Sequence, residues 1–191
     1  MSKKFILLII LLGIIIGGVF WSQRQGDISG FISSGEEKWL TYQSKEGGFS
    51  IDYRISPDGY ISVPQRTDSP SPIITLLYKE TDYKELMEST EPREGPPGIA
   101  ILVFPNVTEK SIQEWIGNHN ESNYQLIIGK EEIKKIGTIE VVRYNIDGLY
   151  QSHTLAALNN NSAILIFGAY LEKGDSYEKD FKSFVQTLTF F

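Results

Sequence analysis

Histidine is the side chain most often used to move protons near neutrality, and this chain of 191 residues has two, His119 and His153. His119 falls near the end of a segment with helical spacing, where positive charge complements the helix dipole. It reads as structural. His153 stands between Ser152 and Thr154 in a segment of strand character. Neighbouring side chains on a strand point to opposite faces, so Ser152 and His153 do not form a nucleophile–base pair. No nucleophile elbow, dinucleotide fingerprint, phosphate loop or His-Glu-x-x-His occurs. Cysteine is absent, which excludes disulfides, thiolate catalysis, thiolate zinc sites and lipid attachment through sulfur. Glu85, Glu88, Glu91 and Glu94 recur every three residues. That spacing would serve a hard cation, but it is also that of a solvated face, and no Asp-x-Asp-x-Asp loop accompanies it. Carboxylates such as Asp52 and Glu140 would do acid–base work only if the fold paired them. No catalytic residue, metal ligand or cofactor site is therefore assigned. The sequons at Asn106, Asn120 and Asn160 count only in a glycosylating host.

Tyrosine gives a different signal. Tyr60, Tyr78, Tyr83, Tyr150 and Tyr170 exceed what the apolar faces of their segments need. Aromatic side chains left at a surface form ligand or partner sites, so these five are the candidate binding residues.

Charge narrows the partners. The formal net charge is -6, and setting aside Lys3 and Lys4 leaves 16 basic residues against 24 acidic. Nucleic-acid binding is driven by basic side chains displacing counterions. Here no basic stripe exists, and the run Lys130–Lys135 is mixed in sign. Nucleic acid is excluded as a partner class.

The N-terminus has its own pattern. Phe5 to Trp21 is 17 residues of apolar side chains and glycine, about 25 Å as a helix, the short end of a membrane span. Lys3 and Lys4 precede it, which orients the N-terminus to the cytoplasm and the rest outside. Its end, Val19-Phe20-Trp21-Ser22, is bulky where signal peptidase needs small side chains. Residues 1–21 are read as an uncleaved anchor, 22–37 as a linker rich in Gly, Ser and charge, and 38–191 as one domain of ordinary size.

Within that domain, alternation predicts strands over Trp39–Tyr42, Phe49–Tyr53, Tyr60–Val63 and Ile73–Tyr78, with a Gly47-Gly48 turn. A short helix is expected near Tyr83–Glu88. Gly98–Phe104 is nearly continuous in apolar residues, which predicts a central strand buried on both faces. Ile112, Trp115, Ile116 and His119 predict a helix over Thr108–His119, capped by Thr108. Strands follow at Tyr124–Ile128, Ile139–Ile146, Ser152–Leu158 and Ala163–Leu171. Tyr177, Phe181, Phe184, Val185 and Leu188 mark a final helix, with Asp175 as cap and Glu178 at capping-box spacing. The fold class expected is α+β, an antiparallel sheet flanked by helices on both faces, preceded by one transmembrane helix.

The order of these motifs resembles the PsbP-like domains. The resemblance is carried by Trp39-x-x-Tyr42, Gly48-Phe49-Ser50-Ile51-Asp52-Tyr53, Ser111-Ile112-Gln113-Glu114-Trp115-Ile116, Ile136 to Tyr144, and Tyr177-Glu178-Lys179-Asp180-Phe181 with Val185 to Phe190. It covers about Trp39 to Phe191. The usual Tyr-Pro after the second strand is replaced by Tyr53-Arg54. The resemblance implies an antiparallel sheet with helices on both sides and, mostly, non-enzymatic binding or assembly roles. Together these readings predict a membrane-tethered extracytoplasmic interaction module of a bacterial envelope, with a protein partner there. The alternative is a small-molecule or divalent-ion sensor with a tyrosine-lined cleft.

Overall fold

The computed structural model describes residues 37–65, 71–91 and 94–191. The expected anchor Phe5–Trp21, and all of the linker but Glu37, lie outside them. Among the described residues no helix is long and apolar enough to cross a membrane.

The fold is α+β, and its strands form two antiparallel sheets where one was expected. Strands β1 (Lys38–Ser44) and β2 (Phe49–Ser56) make a hairpin, and the short β10 (Thr189–Phe190) pairs on the other side of β2. Gly48 supplies the positive φ of the hairpin turn, 61°. The second sheet has seven strands in the order β3-β4-β5-β9-β8-β7-β6. These are β3 (Tyr60–Gln65), β4 (Ile73–Lys79), β5 (Ile99–Pro105), β6 (Ile127–Ile136), β7 (Ile139–Asp147), β8 (Gln151–Asn159) and β9 (Ser162–Tyr170).

Helices α1 (Glu80–Glu88), α2 (Ile112–Asn118) and α3 (Ser176–Gln186) complete the domain. One face of the large sheet packs Leu77, Ile101, Val103, Leu155, Ile164 and Ile166 against Phe181, Phe184 and Val185 of α3 and Phe49 and Ile51 of β2. Gly168 is required there, because a Cβ would stand 2.1 Å from the Phe181 ring. The other face packs Val142, Tyr144, Ala156 and Leu165 under Ile112, Trp115 and Ile116 of α2.

Three expectations are corrected. Thr108 is not the cap of the middle helix: the Ser111 hydroxyl accepts from the Glu114 amide at 3.1 Å, and the helix starts at Ile112. Tyr124–Leu126 is a 3-10 turn, and the strand behind it runs on to Ile136 through the charged Lys130–Lys135. Charges are tolerated because β6 is an edge strand with its side chains in water, and they also guard its free edge. Finally, β5 is internal but not buried on both faces. Ile99, Ile101 and Val103 are buried, whereas Ala100, Leu102 and Phe104 are only half-buried.

Candidate functional site

The half-buried side of β5 belongs to a larger surface. In the antiparallel register, Val63 faces Leu76, Leu76 faces Ala100, and Ala100 faces Phe167. Directly opposed residues share a face. Ile61 and Leu102 lie in the adjoining rows of that face, beside Tyr78 and Ile74. Ile61, Val63, Leu76, Ala100, Leu102 and Phe167 are all half-buried. Helix α2 packs on β7 and β8, and the Trp115 ring reaches Phe104 with centroids 4.9 Å apart. Leu102, Phe104 and Phe167 pack against the α2 cluster and Ile74 and Leu165 of the same face are buried, so the incompletely covered apolar part lies around Ile61, Val63, Leu76 and Ala100. Sequence reasoning assigned these residues to strands and could not see that one side lacks a covering layer, because burial from another element leaves no mark in the strand's own pattern.

The five candidate tyrosines separate. Tyr60 and Tyr170, expected at a surface, are buried with 4% and 5% exposure. The Tyr60 hydroxyl donates to Asp180 Oδ2 at 3.2 Å, and its burial, reinforced by that carboxylate, pushes the phenol's pKa up. Tyr170 lies against the His153 ring, centroids 5.0 Å apart, and burial raises its pKa as well. Tyr78 and Tyr83 stack with centroids 6.0 Å apart at the α1 border of the open face. The Tyr150 hydroxyl donates to the Gly95 carbonyl at 3.0 Å, holding the loop before β5 against the β7–β8 hairpin. Burial raises the pKa of Tyr78 and Tyr150 too. These four phenols stay protonated near neutrality, and those of Tyr60 and Tyr150 serve as donors.

The polar clusters hold elements together. His153 Nδ1 faces Asn145 Oδ1, and Nε2 lies 2.8 Å from Glu178 Oε1. With both ring nitrogens engaged, His153 has none to offer a substrate. Ser152 lies on the opposite face, as strand alternation requires. Glu178 has 4% side-chain exposure. Lys182 at 2.7 Å and His153, with the Gly174 amide, hold its carboxyl at a pKa of about 2. So Glu178 does not close the capping box on Asp175; it ties α3 to β8. Asp175 does cap the helix, accepting from the Glu178 amide at 2.8 Å. Burial pushes its pKa up, but the amides of Glu178, Glu172 and Leu171 outweigh that and lower it.

A second cluster was not foreseen. Lys79, 4% exposed, donates to Asp58 at 3.1 Å and to Ser176 at 3.0 Å, lies 3.5 Å from Asp180, and stands over the Tyr177 ring. Arg54, which replaces the expected proline, pairs with Asp180 at 3.1 Å. A cleft of about 90 Å³ beside Arg54, Tyr53 and Trp39 has room for a few waters only. An open depression of about 510 Å³ lies between Asp147–Gln151 and Tyr170–Lys173, with Leu149 and Leu171 exposed on its rim. Asp52 binds Thr41 and Glu140 binds Gln113, so the fold does not pair these carboxylates. Among the described residues no three His, Asp or Glu side chains gather as a metal ion requires.

No family model and no curated protein matches the chain. Among solved structures, the solution structure of cyanobacterial PsbP (CyanoP) from Synechocystis sp. PCC 6803 is similar, with 12% identity and a TM-score of 0.55 over 87% of this chain and 100% of that one. At that identity the likeness is one of fold, and this chain folds as a PsbP-like domain.

Proposed function

We propose that this protein is a non-enzymatic docking module that acts from a membrane, held by Phe5–Trp21 with its domain outside the cytoplasm, and that it engages a protein partner of the cell envelope. One observation carries the docking role: the half-buried apolar face of Ile61, Val63, Leu76 and Ala100. Contiguous apolar surface marks an interaction site. The membrane part rests on the sequence of residues 1–21 alone.

The test is site-specific photocrosslinking in intact cells. A photoreactive residue at Leu76 is expected to capture one stoichiometric protein partner, whereas the same residue at Ile133, exposed on β6, captures none. Equal or absent capture at both positions would remove the docking role. Protease protection of the domain in intact cells, lost on permeabilisation, checks the topology.

The depression bearing Tyr150 and Tyr170 supports a second reading, small-molecule sensing, because its volume falls in the range of ligand sites. A thermal-shift screen of metabolites and divalent ions addresses it. A ligand far above its dissociation constant raises stability by about 3 kcal/mol, and no shift with any class removes that reading.

A further inference from the structure

The two sheets end in four strand edges, and only one of these is unguarded. β6 closes one end of the large sheet and carries the charged run Lys130–Lys135. β3, at the other end, is six residues long and holds Pro64. β10 is two residues long. Charge, proline and shortness are the usual defences of an edge against pairing with another chain. β1 has none of them. It is seven residues long, lacks proline, and has its one charge, Lys38, at its end. Trp39, Leu40, Thr41 and Gln43 are exposed, and among the described residues no strand pairs with its outer side.

The backbone fixes what that edge presents. The Asp52 amide donates to Thr187 Oγ1 at 2.8 Å, and the same hydroxyl donates to the Asp52 carbonyl at 3.3 Å. Both backbone groups of Asp52 therefore point away from β1. Thr41 stands opposite Asp52. The two form a pair without mutual hydrogen bonds, so Thr41 turns its own N–H and C=O outward. Alternation gives Trp39 and Gln43 the same direction.

We propose that β1 pairs antiparallel with β1 of a second copy, about a two-fold axis at Thr41. This surface is separate from the docking face. In an antiparallel ladder outward groups must meet outward groups. Centring on Thr41 achieves this at all three positions: Thr41 meets Thr41, and Trp39 meets Gln43 twice. A shift by one step either way carries Gln43 or Trp39 past the end of the partner strand. The same register sets Leu40, 49% exposed, beside Tyr42. It also sets Glu37 beside Lys45 and Lys38 beside Ser44, so no like charges oppose each other in the seam despite the net charge of -6. A strand of another protein would have to supply this match anew, whereas a second copy already carries it. One strand seam is smaller than the roughly 1,000 Å² of a stable soluble interface. Two copies tethered in one membrane meet at a raised effective concentration, and in that respect the pairing rests on the anchoring read from Phe5–Trp21.

The chain lacks cysteine, so introduced thiols report pairing without background. The full chain is expressed, its membranes are collected, and a short thiol crosslinker is added. Thr41→Cys is expected to give a covalent dimer, because the two copies of that position stand about 5.5 Å apart. Ile133→Cys, on the guarded edge, gives none. Gln43→Cys alone gives none, since its two copies stand about 14 Å apart along the strands. Co-expressed with Trp39→Cys, it gives the heterodimer. Adding Thr41→Pro removes an N–H that β2 does not use and abolishes that heterodimer, while the thermal unfolding transition is retained. Lys45→Glu, set against Glu37, cuts crosslinking about two- to threefold, the scale of an exposed pair, and E37K/K45E restores it. No dimer at Thr41→Cys, an equal dimer at Ile133→Cys, a Gln43→Cys homodimer, or capture of a different protein at Thr41→Cys each overturns the proposal. A chain missing from the membrane fraction fails the anchoring reading instead, and the same crosslinks are then scored on the soluble full chain.

Discussion

The two faces of the seven-stranded sheet have the same raw material and different fates. Each presents Ile, Leu, Val and Ala from the same strands. On one side these residues are sealed by α3 and by the small sheet, and Leu77, Ile101, Val103, Ile164 and Ile166 are 0% exposed. On the other, the α2 cluster takes in residues of β7, β8 and β9, with Leu102 and Phe167 packed against it, and the part around Ile61, Val63, Leu76 and Ala100 stays half-open. The sealed face accounts for stability. The open face keeps surface free energy that a partner can recover. A strand's composition therefore does not reveal which of its sides is structural; the covering layer decides.

That contrast breaks most sharply on the sealed side. Phe184, 2% exposed, sits between α3 and the sheet. Phe184→Ala is expected to cost about 3–5 kcal/mol, the transfer term plus the cavity it leaves. Chemical denaturation of the domain measures it. A cost near that of a surface substitution would mean that α3 is not seated as described.

Next in size is the electrostatic seam that fastens α3. Glu178 has its folded-state pKa at about 2 against an ordinary 4.5, held there by Lys182 and His153. A depressed carboxylate contributes stability above its unfolded pKa, and the contribution is lost as pH falls through the folded value. Here it is whole above pH about 5 and gone near pH 2, worth about 3 kcal/mol in all. Wild type should therefore lose more stability than Glu178→Gln between those limits. Parallel denaturation curves for the two proteins across that window would show that Glu178 does not form this seam.

At the α2 border a smaller effect is expected. Ser111 accepts from the Glu114 amide at 3.1 Å, and Ser111→Ala should cost about 1 kcal/mol as a lost cap. Thr108→Ala should cost nothing measurable, since the helix does not begin there. The reverse order would restore the longer helix that spacing alone suggests.

Spacing read the elements well where one element determines itself. The α3 stripe of Phe181, Phe184 and Val185, the Asp175 cap and the Gly48 turn are local facts, and each stands in the structure. What required the third dimension was less legible. Lys79 carries no local signal of its role, yet Asp58, Ser176 and Asp180 converge on it from two other elements. Tyr60 and Tyr170 looked surplus because their covering partners, Asp180 and His153, are 120 and 17 residues away in sequence. The open face was hidden for the converse reason, since its Val63 and Leu76 look like core.

The smallest effect on stability belongs to that face, and it separates the two faces most cleanly. Leu76 is half-buried and packs into neither sealed cluster. Leu76→Gln removes little buried apolar surface and should cost about 1 kcal/mol or less. Leu77, its neighbour on the strand, is 0% exposed on the sealed side. Leu77→Ala should cost about 3 kcal/mol or more. Docking should invert the ranking: the Leu76 variant loses its partner while folded, and the Leu77 variant binds for as long as it is folded. If Leu76→Gln destabilises as strongly as Leu77→Ala, something covers the open face in the free protein. Its apolar residues are then core on both sides, and the docking role loses the observation that supports it.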